Sequence, residues 1–236
     1  MILDIYKDSF EYSAQDAISL LKLGVINFLN FLIIPIFLQL GYAYRINKIA
    51  VNGMINGEDQ LADFSDLVSM FVDGIKVFFI NMIYLIIPIL IAVLSILFVK
   101  NVLGLIGIII AIILGLIGYL MAVIAVPHMA ANDDDFKSAF DFKELIGIIK
   151  SISVLRYIAF YLGLIIINVC IVSVVYAILS IIFSLLGFGL TYVNPGIGAG
   201  VVNLGIIISS LIIAFLVTPY LTVFQSRAVG LIYNLR

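Results

Sequence analysis

Charged residues are scarce in this sequence, and their scarcity sets the class of protein. Only 11% of the 236 residues are charged, whereas 64% are hydrophobic. A soluble globular domain is about one quarter charged, so this chain has too little polar surface to cover a water-facing globule. Because the net charge is only −2 and the sequence contains no basic cluster, nothing points to a nucleic-acid partner.

Cysteine and histidine are almost missing, with one of each at Cys170 and His128. A single cysteine excludes an intramolecular disulfide and a cysteine-based zinc cluster, and its place in an apolar run predicts a buried small hydrophobe. His128 precedes three aspartates at residues 133–135, a set that could bind a divalent cation. Consecutive aspartates point in different directions, however, so we predict neither a metal nor a cofactor.

Long apolar runs are what the chain has in abundance, and several exceed the roughly 20 residues that a helix needs to cross a bilayer. We predict an all-α, polytopic transmembrane helix bundle that forms a single integral membrane domain over residues 1–236. Two alternatives are left open: a sixth span hidden in residues 17–51, and re-entry of the first segment in place of a crossing. The five apolar segments cover residues 20–44, 77–99, 102–126, 157–186 and 201–224.

The polar stretches carry apolar residues at spacings of three and four, which is the pattern of amphipathic helices. We predict one such helix at residues 1–22 and amphipathic cytoplasmic loops at residues 41–76 and 128–156. Each would lie at the membrane interface or against the end of the bundle. In the first loop, Asp63 and Asp66 are placed to stabilise the start of its helix.

Lysine and arginine predict the orientation. With five crossings, the two long loops and the C-terminus share one side, and that side holds most of the positive residues. The positive-inside rule then predicts a multi-pass protein of the cell membrane with both loops and the C-terminus in the cytoplasm. The N-terminus would lie outside, although the likeness of residues 16–22 to residues 144–150 favours the inside.

Small residues mark one face of the third segment, at Gly107, Ala111, Gly115 and Gly118. Small residues at this spacing let another helix approach closely in lipid. We predict an intramolecular packing face, with the seam of a homo-oligomer as the alternative. In the second segment, the central position of Pro88 predicts a bend.

Residues 41–76 carry a resemblance to a known family. GYAYRI is followed by a glycine-containing turn, and then by L-x-D-F-x-D-L and F-x-D-G-I-K. These motifs resemble the archaeal membrane family called domain of unknown function 4013, although Ala62 stands where proline is usual. The resemblance implies an archaeal membrane protein. It brings no assigned activity and no catalytic residues.

The side chains inside the apolar segments argue against an enzyme. Segments two to five contain no acidic, basic or histidine residue, whereas catalysis draws on such groups facing a cavity. For the polar residues that do occur there we predict mostly helix-to-helix hydrogen bonds. They include Asn81, Asn168, Ser209 and Ser210.

Two functions remain open. We predict a non-enzymatic membrane scaffold or partner-binding protein, whose partners are the lipid bilayer and either another protein or a second copy of the chain. The alternative is a small permease or lipid-handling protein that takes an uncharged or lipid-like substrate into the bundle. The predicted interaction surface of the scaffold consists of Tyr42, Arg45, Asp63, Phe64, Asp66, Gly74 and Lys76.

Overall fold

The computed structural model describes residues 1–97 and 102–236, and within these ranges it contains no strand, which confirms the predicted all-α class. The last two residues of the second predicted segment, and Lys100, lie outside the described residues. The helices are α1 (Ile2–Ser13), α2 (Ala17–Phe28), α3 (Ile34–Asn52), α4 (Leu67–Leu97), α5 (Val102–Ala131), α6 (Phe142–Ile152), α7 (Val154–Thr191), α8 (Pro195–Ile212) and α9 (Thr218–Tyr233).

Four apolar helices of the described chain have the length and composition to cross a membrane. Three are α4, α5 and α7, and the fourth joins α8, a π-helical segment (Ile213–Val217) and α9 into one rod. The 38 residues of α7 make it about 57 Å long, well beyond the roughly 30 Å of a hydrocarbon core. Cys170 lies exposed on α7, so the prediction that it is buried is wrong.

The first predicted segment is broken into two helices, which leaves four candidate spans in place of the predicted five. A short 3₁₀ turn (Leu29–Leu32) follows α2, and the chain turns at Ile33, whose φ is 68°. Across this turn, Asn30 donates a hydrogen bond to Gln39. Leu23 of α2 packs in the same cluster as Tyr42 of α3. The two helices therefore form an antiparallel hairpin, the arrangement expected of a re-entrant segment.

The helix predicted at residues 1–22 is also divided. α1 ends at Ser13, and the carboxylate of Asp16 accepts two backbone N–H bonds to begin α2. α1 packs along α9, and Asp8 lies 2.9 Å from Nε of Arg227. The N-terminal and C-terminal helices thus share one end of the bundle, which we call the base. Of the two alternatives for the N-terminus, this contact favours the one that places it on the side of the C-terminal helix, and the side itself stays a prediction.

α4 and α5 form a long hairpin through the small residues of α5. A Cβ added at Gly118 would lie 2.6 Å from the carbonyl oxygen of Tyr84, and one at Gly107 would lie 2.1 Å from the hydroxyl oxygen of Ser95. The predicted intramolecular packing face is confirmed. Pro88 lies inside α4 without ending it.

The first predicted loop does not form a separate surface helix. Residues 57–66 have no regular structure, and the apolar pattern beyond them belongs to the first turns of α4. The carboxylate of Asp66 caps this helix, since it accepts a 3.1 Å bond from the backbone N–H of Ser69. Asp63 acts within the loop, where it accepts bonds from the backbone and hydroxyl of Ser65.

In the second predicted loop, α6 packs against the ends of α5 and α7. Asp141 caps it by accepting a 3.0 Å bond from the backbone N–H of Glu144. Lys143 and Lys150 on its outer face are exposed. The buried residues of its inner face are Leu145, Ile148 and Ile152.

Candidate ligand-binding cleft

Two helical hairpins, α4–α5 and α7–α8, stand apart above the base. α4 and α5 pack on each other and on α3, whereas α7 packs mainly on α8. They meet near the base, where Tyr157 donates a 2.6 Å bond to the carbonyl of Leu120 and the rings of Tyr119 and Tyr161 lie 6.4 Å apart. α3 and α9 cross between them, so the hairpins enclose a cleft above these helices.

The cleft has a volume of about 370 Å³, which lies within the range of small-molecule sites in proteins. Five helices line it: α3, α4, α5, α7 and α9. Its walls are largely aliphatic, and every polar side chain on them is an uncharged amide or hydroxyl. These polar residues are Tyr44, Asn47, Asn81, Tyr119, Tyr161, Asn168, Gln225 and Ser226.

Two polar atoms of the cleft residues are buried and lack a hydrogen-bond partner within the described structure. They are Oδ1 of Asn47 and the hydroxyl of Tyr161, and each residue exposes only 4% of its surface. A buried polar atom without a partner costs roughly 1–3 kcal/mol, so native proteins rarely retain one without a reason. Both atoms have almost no accessible surface, so they lie behind the cavity wall and not on its open face.

The other amides of the cleft are satisfied mostly by their own helices. Asn81 and Asn168 each donate to the carbonyl four residues earlier, and Ser209 and Ser210, outside the cleft, do the same. The predicted helix-to-helix bonds are therefore wrong for most of these residues. A bond between helices does join Gln225 of α9 to the side-chain oxygen of Asn168.

A charged cluster closes the cleft at its base. Tyr44 donates a 2.6 Å bond to one oxygen of Asp134, and Nζ of Lys48 lies 2.5 Å from the other. Burial raises the pKa of the Asp134 carboxyl, but the hydrogen bonds from Lys48 and Tyr44 outweigh it and hold the pKa below its usual value. Asp134 therefore stays ionised, while neither Asp134 nor Lys48 lines the cleft.

His128 and the nearby aspartates do not converge on a metal site. His128 bonds the hydroxyl of Tyr233 at 2.9 Å, and its Nε2 lies 3.4 Å from a carboxylate oxygen of Glu144. Asp134 faces away, toward Tyr44 and Lys48. Across residues 1–97 and 102–236, no three potential ligand side chains are grouped to hold an ion.

Among the predicted interaction residues, Tyr42 and Phe64 pack inside the protein. Tyr42 is fully buried, donates to the carbonyl of Ala62 and stacks on Phe64 with ring centroids 4.3 Å apart. A Cβ at Gly74 would lie 1.8 Å from the carbonyl oxygen of Phe37. Gly74 therefore sets the close crossing of α3 and α4.

Arg45 holds the first loop against α3. Its guanidinium donates to the backbone carbonyls of Asp63, Ser65 and Asp66, and it also lies 3.7 Å from the exposed carboxylate of Asp63. Lys76 is farther along α4, 3.6 Å from Asp73. The structure thus brings five of the seven residues together around the loop, while Gly74 and Lys76 lie along α4. Their role as an interaction surface stays a prediction.

Among the cleft residues that sequence reasoning missed are Asn47 and Tyr161. Asn47 lies in α3, beyond the first apolar segment, and Tyr161 stands in an aromatic stretch at the start of α7. For Tyr161 the available signal was a polar group just inside a membrane-length helix, whereas α3, which carries Asn47, is not among the four membrane-length helices. Nothing local, however, shows that these two side chains reach the same cavity.

The fold and the cleft define an all-α bundle with four membrane-length apolar helices around a neutral interior cavity. Residues 28–171, more than half of the chain, match the model of the family described as protein of unknown function (DUF4013). The chain belongs to that family, and the resemblance seen in residues 41–76 is confirmed. The match covers α3, α4, α5 and the part of α7 that lines the cleft. No curated protein and no solved structure matches the chain.

Proposed function

We propose that the chain is an integral membrane protein that binds an uncharged, lipid-like molecule in its cleft, the lipid-handling alternative of the sequence analysis. The observation that carries this proposal is the cavity of about 370 Å³, whose lining combines aliphatic side chains with uncharged amides and hydroxyls. A protein that only tethered partners through its surface would have no use for an interior cavity of this size.

The proposed role is non-enzymatic. The cleft is lined by amides, hydroxyls and aliphatic groups, which can hold and orient a molecule. Its lining includes no histidine, carboxylate, lysine or cysteine, the groups that most often transfer protons or attack substrates. Binding, storage or transfer of an intact molecule fits this lining better than its conversion.

We place the protein in the cell membrane with its base toward the cytoplasm. The lysines and arginines of the described residues lie in α1, α2 and α3, near the starts of α4 and α7, in the second loop and α6, and toward the C-terminal end of α9. These parts belong to the base or adjoin it, so the positive-inside rule supports a cytoplasmic base. Both terminal helices would then lie inside.

Filling the cleft tests the proposed function. Ala43→Phe adds a ring to the cleft lining, whereas Ala177→Phe adds the same ring to the exposed surface of α7. In native mass spectrometry of protein released from mild detergent, we expect the wild type and Ala177→Phe to retain a bound lipid. Ala43→Phe should lose it. Equal retention by all three proteins, or retention by none, would overturn the proposal.

The scaffold role has weaker support than the lipid-binding role. Asp63 has a side chain 76% exposed and could meet a partner, but Tyr42, Phe64 and Gly74 are engaged inside the protein. Binding of a protein partner or of a second copy remains a prediction for the surface of the first loop.

A further inference from the structure

The short helix α6 carries two apolar strips, and protein covers only one of them. At about 100° per residue, Leu145, Ile148 and Ile152 form the strip that packs into the core. Phe142 and Ile146 form a second strip beside it, and these residues expose 54% and 44% of their surface. The second strip therefore offers apolar surface to whatever surrounds the base.

The position of α6 shows what this second strip meets. The ring of Phe142 lies against that of Tyr84, with centroids 5.7 Å apart, and Tyr84 belongs to the apolar body of α4. At the other end, Ser153 interrupts the helix with a φ of 81°, and α7 begins at once with exposed Leu155 and Ile158. Membrane-length helices thus flank α6 at both ends, so its exposed apolar strip faces acyl chains at the edge of the bilayer.

A basic strip runs beside the exposed apolar strip. Lys143 and Lys150 lie about two turns apart on one face of α6, and Arg156 follows in the first turn of α7. All three side chains are exposed. Across residues 1–97 and 102–236, no carboxylate lies within 4 Å of their charged nitrogens.

Other charges near the second loop are engaged within the protein. Lys48 pairs with Asp134 at 2.5 Å. Asp141 caps the start of α6, and Glu144 lies on another face of the helix, beside His128. The basic strip is therefore not neutralised by the acidic residues of α6. Its charge is complementary to negative groups at the level of the lipid headgroups.

We propose that α6 and the first turn of α7 bind lipids whose headgroups carry a net negative charge. Lys143, Lys150 and Arg156 hold the headgroup, while Phe142 and Ile146 reach the acyl chains. Long basic side chains are suited to this position, because their stems cover apolar surface while their charges stay at the headgroups. None of these five residues lines the cleft, so this surface is separate from the proposed function.

An introduced tryptophan can report the lipids next to α6, because the chain contains none of its own. Ile146→Trp places one in the exposed apolar strip. Ile178→Trp places one at an exposed position of α7, within residues 157–226, which include no charged residue. Full-length protein is reconstituted in phosphatidylcholine vesicles that contain either brominated phosphatidylcholine or brominated phosphatidylglycerol, and bromine quenches tryptophan on contact.

We expect a local preference for the anionic lipid. At position 146, the relative affinity for phosphatidylglycerol over phosphatidylcholine should be roughly fivefold or more, since one cation at the membrane surface accounts for a factor of this size. At position 178 the two lipids should quench equally. Raising the salt concentration should reduce the preference at position 146, because the charges lie at the water-exposed headgroup level.

Charge variants in the Ile146→Trp protein test the assigned residues. Lys143→Gln, Lys150→Gln and Arg156→Gln combined should bring the preference to about one, whereas Lys7→Gln with Lys22→Gln, at exposed positions of α1 and α2, should leave it unchanged. Quenching by phosphatidylcholine should stay the same in both variants, which separates lost charge from a folding defect.

Three results would overturn the proposal. The first is equal quenching by the two lipids at position 146, or a preference that survives the triple substitution. The second is a preference of the same size at position 178, which would show that it does not arise at α6. The third is normal quenching at position 178 with none at position 146, since α6 would then lie outside the bilayer.

Discussion

Arg227 is the largest fully buried side chain among the described residues, and it carries a charge. Its guanidinium lies 2.9 Å from Asp8 of α1 and 2.7 Å from Asp59 of the first loop. It also lies over the ring of Tyr12, 4.6 Å from the centroid. One residue of α9 therefore ties together the N-terminal helix, the first loop and the C-terminal helix.

Arg227→Met should destabilise the protein by about 3–5 kcal/mol, because Asp8 would remain buried without its counter-charge. Thermal unfolding followed by circular dichroism in detergent measures the loss. Lys7→Met is the matched control, since Lys7 and Glu11 form an exposed pair 3.8 Å apart that contributes about 0–1 kcal/mol. Identical melting of the two variants would show that Arg227 does not stabilise the base.

The residue scale also shows where sequence reasoning reaches its limit. The motif of the first loop singles out Arg45 and Phe64, but it cannot tell an exposed contact residue from one that binds carbonyls or packs on Tyr42. That difference depends on the path of residues 57–66, and these residues have no periodic pattern from which the path could be predicted.

At the scale of elements, α2 packs against the π-helical segment that interrupts the rod between α8 and α9. Pro219 has no N–H, so the carbonyl of Phe215 lacks its usual helical partner, and the π-helical segment lies just before it. Gly24 of α2 lies against this carbonyl, where a Cβ would come within 2.2 Å. Asn27 donates a 2.7 Å bond to the neighbouring carbonyl of Ala214. α2 thus covers this stretch of backbone inside the bundle.

Gly24→Ala should destabilise the protein by about 1–3 kcal/mol, because the added methyl group pushes α2 away from the π-helical segment. Gly147→Ala is the control, since Gly147 lies in α6 with no atom within 4 Å of an added Cβ. In a free helical position the same change stabilises by up to about 1 kcal/mol. Chemical or thermal unfolding of the two variants should therefore shift in opposite directions, and shifts of the same sign would contradict this account.

The elements that the sequence predicts well are those specified by local spacing. The small residues Gly107, Ala111, Gly115 and Gly118 reveal the packing face of α5 because spacings of three and four on one helix are sufficient. The sequence leaves re-entry of the first segment open but does not predict the break at Ile33, since an isoleucine gives no signal of a positive φ. The continuity of α4 was missed because its amphipathic start and its apolar body have different patterns.

At the scale of the whole molecule, the cleft could not be predicted from the sequence. Its lining comes from five helices, and Asn47 and Tyr161 are more than 100 residues apart. A cavity also depends on which helices do not pack against each other. Hydropathy shows only that α4, α5 and α7 are apolar enough to lie in lipid. Apolar faces that meet lipid and apolar faces that meet another helix have the same composition.

The shared base leads to a topology that labelling can test. In a Cys170→Ser background, single cysteines are placed by Glu11→Cys in α1, Glu58→Cys in the first loop and Tyr192→Cys beyond α7, all at exposed positions. A membrane-impermeant maleimide added to intact cells should modify only the cysteine at position 192. Those at positions 11 and 58 should react after permeabilisation, because both lie at the base.

A chain with five spans would behave differently in this labelling. Its N-terminus would lie on the side opposite the first loop, so the cysteines at positions 11 and 192 would react together and the one at position 58 would remain protected. The ion pairs of Arg227 with Asp8 and Asp59 join α1 and the first loop to one side chain, and a bilayer cannot separate groups 3 Å apart. Because of this contact, we expect positions 11 and 58 to share one side, with the α2–α3 hairpin entering and leaving the bilayer between them.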